Sequence, residues 1–306
     1  VLINLFHRID GPGWNTHGFQ RLQPAITRPA QHDLRQQGHQ FVPVHDASGI
    51  ARKTGIIRPF GVTQLLRKTA KLSIVTHRHN QMPVTGLKDL IGHQILMCIT
   101  GPLWRLPGAR CTLASATGGR IAADGGLAFD TEPLTDVERC DLLLVPGGFG
   151  VIAAIEDPVF IAQLQRLGAQ ARWIASVCTG SLALGAAGLL KGRRAACHWA
   201  WRDLLAGFDG VTPDAGRVVR DGPVFTGGGV TAGIDMALAL LGEIAGEATA
   251  QSVQLGIEYA PAPPFDCGRP ERAAPAVVEA VRQRLETLRP DRHAAVQRAA
   301  TALRAA

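Results

Sequence analysis

Trp173-Ile174-Ala175-Ser176-Val177-Cys178-Thr179-Gly180-Ser181-Leu182-Ala183-Leu184 reads as an apolar strand that breaks without a spacer into a helix of small residues, with a cysteine on the corner. A thiol at such a turn faces free backbone N–H groups and the positive end of a helix dipole, both of which favour the thiolate, the nucleophilic form. Cys178 is therefore a candidate nucleophile. On turn geometry alone it is equally a small apolar residue of the core, because free cysteine is among the most buried residue types.

The stretch just before it decides more. Cys140-Asp141-Leu142-Leu143-Leu144-Val145-Pro146-Gly147-Gly148-Phe149-Gly150 is a continuous apolar run ending in a glycine loop, the pattern of a central parallel strand covered on both faces. Glycines at its end let the backbone approach a ligand closely and turn N–H groups towards it. Between the two strands, Asp157 to Ala169 has helical spacing (Val159, Phe160, Leu164, Leu167), with Asp157 as cap and Pro158 at the first helical position. The order strand, glycine loop, helix, strand, cysteine turn, helix puts both turns at the carboxyl ends of parallel strands, the edge where open α/β sheets bind ligands.

Further along, Leu189 to Trp199 runs through a tight turn into a short strand, and Arg217 to Thr226 is a hairpin candidate turning at Asp221-Gly222. Gly227-Gly228-Gly229 precedes an almost wholly apolar helix to Gly242, expected to lie deep in the domain or at a subunit contact. The glycine run is a packing turn and not a phosphate loop, since no Lys-Ser/Thr follows it. From Gly268 the chain is rich in Ala, Arg and Glu, and Ala274–Leu288 and Asp291–Leu303 read as two exposed helices. Towards the amino end, Arg110 to Ser115 is a strand, Gly118-Gly119 and Gly125-Gly126 punctuate two small strands, Leu72 to Val75 is a short strand candidate, and Pro83 to Gly92 is a turn-rich lead into a helix.

Composition limits the function classes. The net charge of +7 is confined to one end: residues 1–80 hold 11 Lys/Arg against 3 Asp/Glu, and the rest hold 21 against 22. A basic patch for nucleic acid is thus not spread over the folded part, and the two carboxyl-terminal helices lack the turn spacing and basic face of a DNA-reading module, so no nucleic-acid partner is expected. Residues 1–70, without sustained period, are read as a basic, poorly ordered extension, 71–270 as the α/β domain and 271–306 as a helical extension. No run of 18 uncharged apolar residues occurs, so no membrane partner is expected; together with an amino terminus unlike a secretory signal, this places the protein in the cytoplasm. Six scattered cysteines without a Cys-x-x-Cys pair fit a reducing compartment. His77 and His79 read as solvated histidines, and no metal site is expected.

Taken together, Val145-Pro146-Gly147-Gly148, Ala175-Ser176-Val177-Cys178-Thr179-Gly180, Gly185 to Arg194, His198-Trp199, Thr226 to Asp235, Gly246 to Leu255 and Glu258 to Phe265 resemble the ThiJ/PfpI superfamily of class I glutamine-amidotransferase-like proteins, and within it the isonitrile hydratase group. The resemblance covers roughly residues 71–275. It implies an α/β three-layer sandwich with a mostly parallel, flavodoxin-like sheet, a nucleophile elbow at Cys178, a homodimer, no cofactor, and an isonitrile as small-molecule substrate, hydrated to an N-substituted formamide.

The same resemblance distributes roles. Thr179 stands where peptidase-like members carry a histidine base, which argues against a protease and for Thr179 as a catalytic partner of Cys178. Gly147 and Gly148 would bind substrate or a developing oxyanion. His198 would either sit satisfied beneath the elbow or line the substrate pocket. A catalytic carboxylate is implied after the first strand: Val84-Thr85-Gly86-Leu87-Lys88-Asp89-Leu90 offers Asp89, with Lys88 inserted and His93 in place of a proline, whereas aligning Cys98-Ile99-Thr100-Gly101-Pro102 instead would put Cys98 there. A glyoxalase-like hydrolase, and a ligand- or redox-sensing domain of the kind fused to AraC-type regulators, are the other readings.

Overall fold

Leu142–Val145 (β5) and Trp173–Val177 (β6) are buried at every residue, and the alternation of their side chains sets the architecture. Leu143, Val145 and Ile174 point into one apolar cluster; Leu142, Leu144, Trp173, Ala175 and Val177 point into a second on the opposite face of the sheet. A strand buried on both sides needs cover on both, and helices supply it. Each such fully buried Leu or Val contributes roughly 1.5–3 kcal/mol. The computed structural model describes residues 3–7, 100–106, 108–122 and 128–305. The chain divides into two units, 1–14 with 82–306 and 15–81, and the second lies outside the described residues.

The main sheet has eight strands: Ile3–His7 (β1), Arg110–Ser115 (β2), Gly119–Ala122 (β3), Ala128–Pro133 (β4), β5, β6, Val218–Asp221 (β9) and Val224–Gly227 (β10), in the order β3-β4-β2-β1-β5-β6-β10-β9. Arg194–Ala195 (β7) and Thr212–Pro213 (β8) form a separate two-stranded ladder. The first face carries helices Val151–Ala154 (α1), Pro158–Gly168 (α2), Gly180–Ala186 (α3) and Arg292–Ala305 (α7), the last through buried Ala295, Val296, Ala299 and Ala300. The second face carries Ala232–Ala245 (α4), with Met236, Ala237, Leu240 and Leu241 buried, and Glu247–Gly256 (α5), which contributes Val253. Pro275–Leu288 (α6) has no buried residue. This is the expected α/β sandwich. No helix among the described residues is long and apolar enough to cross a membrane.

The parallel part of the sheet is where the site lies. β5, β6 and β10 run parallel, with Val145 opposite Ser176 and Gly227 opposite Val177, so their carboxyl ends emerge side by side. The flanks are mixed. β9 joins β10 through the predicted hairpin, with Gly222 at φ +59° in its turn, and β1 runs antiparallel to both β2 and β5.

Several local expectations change. Ile3–His7, within the segment read as a poorly ordered extension, forms a strand in the middle of the sheet; five residues are too few for a period to show. Val159, one of the apolar residues of the helical spacing in α2, is 59% exposed, whereas the Asp157 cap forms, its carboxylate accepting from the Val159 and Phe160 N–H groups at 2.9 and 3.3 Å. α4 buries one face only, because Asp235 on its outer side pairs with Arg217 and accepts from the Tyr259 hydroxyl at 2.8 Å. α7 is not an exposed helix: it docks with five buried residues, and Arg298 and Arg304 pair with Glu156 and Asp209. Leu72–Val75 and Pro83–Gly92 lie outside the described residues.

Candidate active site

Cys178 occupies the turn between β6 and α3 with φ +60°. A non-glycine residue in the left-handed region costs on the order of 1–2 kcal/mol, which the surroundings must impose. They do so by contact. A Cβ at Gly147 would lie 2.7 Å from Thr179 N and 2.8 Å from Cys178 Cβ, and one at Gly180 would lie 2.9 Å from the Val145 carbonyl carbon and 3.0 Å from that of Pro146. The glycine loop and the cysteine turn therefore press backbone to backbone, and only glycine fits at either contact. On the other side, Cys178 N–H donates to Gly227 O at 2.9 Å.

A second layer fixes the elbow from below. Ser181 donates to Ala196 O at 2.6 Å and stands 2.8 Å from Ser176 Oγ, so Ser176 is the donor in that pair. Thr226 Oγ1 accepts from Ala196 N–H at 2.8 Å. All three hydroxyl residues are buried and satisfied, and they clamp the 194–197 segment against β6 and β10.

Thr179 and Gly148 are brought together in a way that changes their expected roles. The Gly148 N–H donates to Thr179 Oγ1 at 2.9 Å, and Thr179 Oγ1 lies 3.0 Å from Gly148 O, to which it can donate. The Gly148 N–H is thus engaged by Thr179 and not held open for an oxyanion. The Thr179 hydroxyl, in turn, is anchored to the loop and does not cap α3, and Thr179 lines the same small cavity as Cys178.

The electrostatics of the elbow also differ from the sequence expectation. Burial pushes the Cys178 thiol up to about 12, with the two Thr179 hydrogen bonds opposing it. A helix dipole is worth about 0.3–1 kcal/mol, less than one pKa unit, whereas full burial shifts a group by up to about 3–5 units. Desolvation wins, and the resting Cys178 side chain is a thiol. Cys197 is raised as well, by burial and by the nearby Cys178. Alkylation of Cys178 is accordingly expected to accelerate about tenfold per pH unit from pH 7 to 9 without levelling off, because the thiolate fraction keeps rising until pH passes the thiol's own value. Rates of iodoacetamide labelling read at the Cys178 peptide check this; a plateau near pH 7 would contradict it.

His198 stands beside the elbow. It lines a small cavity with Gly148, Phe149, Cys178, Thr179, Trp201 and Leu285. Its Nδ1 accepts from Ala200 N–H at 3.3 Å, and burial lowers its pKa to about 4. The ring is neutral at pH 7, with its proton on Nε2. Gly147 lies under Thr179 as a packing residue. Asp89 and Cys98, the two candidates for the catalytic acid position, lie outside the described residues. Among the described residues no group of His, Cys, Asp and Glu could hold a metal ion.

Three cavity residues have little sequence signature. Phe149 adjoins the glycine loop and Trp201 stands three residues after His198, so proximity to known motifs could have marked them. Leu285 comes from α6, more than a hundred residues after the elbow, and nothing in its local sequence marks it.

Comparison with known proteins bears on the family and the fold. The DJ-1/PfpI family matches residues 99–243. The chain is 55% identical over 156 residues to an isonitrile hydratase of Pseudomonas putida, covering 50% of this chain and 68% of that protein. It is 32% identical over 149 residues to the HTH-type transcriptional regulator CdhR of Pseudomonas aeruginosa, of which it spans 43%, the match taking 47% of this chain. Among solved structures, a ThiJ/PfpI family protein from Pseudomonas syringae superposes with a TM-score of 0.62 at 34% identity, covering 74% of this chain and 99% of that one.

Proposed function

The chain belongs to the DJ-1/PfpI family, and we propose on that premise that it is an isonitrile hydratase, converting R–N≡C and water to the formamide R–NH–CHO at Cys178. The observation that carries the reading is the strained, glycine-packed cysteine turn with Thr179 against its sulfur, in a chain 55% identical to an isonitrile hydratase.

The proposed chemistry uses Cys178, Thr179 and His198 of the described site together with Asp89, the acid expected from the sequence. Because the resting sulfur is a thiol, its proton must leave as the C–S bond forms. Asp89 takes it and returns it to the terminal carbon, which gives the thioimidate R–N=CH–S–Cys178. Thr179, by turning its hydroxyl hydrogen from Gly148 O to the sulfur, stabilises charge there. Water adds to the same carbon, the nitrogen is protonated, and collapse to the C=O expels the thiolate, which is a far better leaving group than the amine. The neutral His198 Nε2–H is a donor for the substrate nitrogen or the adding water. No step needs a metal or redox cofactor. A homodimer in the cytoplasm completes the reading, and sedimentation of the purified protein tests its dimeric part.

The test is incubation with cyclohexyl isonitrile, following N-cyclohexylformamide by mass spectrometry. Turnover is expected in the wild type. Asp89→Asn should reduce it by about 10²–10⁴-fold, the usual worth of a general acid–base group. Full activity in Asp89→Asn would move the proton relay to another residue. The relationship to an HTH-type regulator favours one other reading, a ligand- or redox-sensing domain. Absence of any formamide, with sulfenic acid forming at Cys178 under peroxide, would establish that reading instead.

A further inference from the structure

The cavity over Cys178 measures about 20 Å³, room for about one water molecule. Cys178 itself is 2% exposed. No isonitrile can bring its carbon to the sulfur unless one wall gives way.

The walls differ sharply in how they are held. Gly148 and Thr179 are bonded to each other in both directions. Trp201 is 2% exposed, its N–H bonded to His198 O at 2.8 Å. Among the described lining residues, Leu285 comes from the most thinly attached element. Its helix, α6, has no buried residue and touches the body along a single stripe. Val278, Leu285 and Leu288 are half-buried on it, Arg282 lies 5.9 Å over the Trp199 ring, Glu286 accepts from Arg292 at 3.0 Å, and just beyond the helix Arg289 donates to Phe149 O at 2.9 Å. The helix is preceded by residues 259–274, which contain no helix or strand and of which 260–269 are all exposed. Long connections of this kind are where local opening concentrates. It also lies beyond the region matched by the family, which ends at residue 243.

We propose that helix Pro275–Leu288 is the movable outer wall of the substrate pocket and that Leu285 is the residue that sets the size of the group the pocket accepts. Opening swings Leu285 off the elbow when the Arg289 bond to Phe149 O breaks, and closing presses Phe149, Trp201 and Leu285 around the substituent. Three apolar walls select an uncharged, apolar substituent. The size-selection part rests on the isonitrile reading above; the gating part does not.

Two measurements separate them. Iodoacetamide labelling of Cys178, read by peptide mass spectrometry at one pH, should be at least about tenfold faster in Leu285→Ala and in Arg289→Gln than in the wild type. In the unmodified protein, amide hydrogens of residues 278–288 should exchange well before those of 295–305, which needs no variant to fold. Equal labelling rates in all three proteins, or equal protection of the two helices, would overturn the wall. With isonitriles of increasing bulk, Leu285→Ala should raise kcat/KM for the tert-butyl relative to the methyl compound by about tenfold, the order expected when a few methylenes leave an apolar pocket. An unchanged ratio would overturn Leu285 as the size determinant. Absence of turnover in every protein, with accelerated labelling in the variants, would remove the isonitrile reading and leave the wall standing.

Discussion

Cys178→Ala is expected to abolish formamide production, with a loss on the order of 10⁴-fold or more, because the proposed reaction passes through a covalent bond to that sulfur and no other group among the described residues replaces it. The fold should survive. Alanine keeps the Cβ that packs near Gly147 and gives up only the sulfur, so the change in stability is expected to stay near 1–2 kcal/mol, typical of losing a small buried group. Cys197 does not rescue the reaction: it lies in the segment beneath the elbow, buried and pushed above its ordinary range. Cys178→Ser should fail almost as completely, since a serine hydroxyl, already far less acidic than a thiol, would meet the same desolvation that pushes the thiol up to about 12. Formamide yield per hour and melting temperature, measured on the same preparations, separate loss of chemistry from loss of fold. Retained activity in Cys178→Ala would remove the covalent mechanism.

Much of this site was legible in the sequence because its residues obey local rules. Leu142–Val145 and Trp173–Val177 are apolar at every position and flanked by breakers, so central strands followed from pattern alone. Pro146-Gly147-Gly148 pointed to close backbone approach, and the approach is to Thr179 and Cys178. What pattern could not supply was the direction of hydrogen bonds and the depth of burial. Nothing in Thr179-Gly180 says that the hydroxyl turns back 31 residues to Gly148. Cys178 stands at a helix start, as the pattern implies, but burial outweighs the dipole and raises its thiol, and the cavity beside it is lined by Phe149, Trp201 and Leu285 from three separate parts of the chain. Ile3–His7 was missed for a related reason: its partners at Ala114 and Leu144 lie more than a hundred residues away, and its own five residues carry no period.

Gly180→Ala is expected to be among the most damaging single substitutions in the protein, destabilising it by about 3–5 kcal/mol. The added methyl would fall on the Val145 carbonyl oxygen and within 3.0 Å of two backbone carbons. Those atoms belong to the end of a fully buried central strand and its loop, so no flexible side chain can swing aside. Backbone must move, and the only ways to do so separate the 145–148 loop from the cysteine turn or unwind the first turn of α3. Either breaks the Gly148–Thr179 bonds and releases the φ of +60° at Cys178. Domains of this size are typically stable by only about 5–15 kcal/mol, so the variant should melt many degrees lower or accumulate insoluble. A useful contrast is Gly246, which lies at positive φ (+87°) but has nothing within 4 Å of its would-be Cβ; alanine there meets only backbone strain, of order 1–3 kcal/mol. Paired urea denaturation of the two variants checks the argument. A midpoint for Gly180→Ala equal to or above that of Gly246→Ala would mean that the elbow is not held by the contact between Gly180 and the end of β5, and that its strain is imposed from elsewhere.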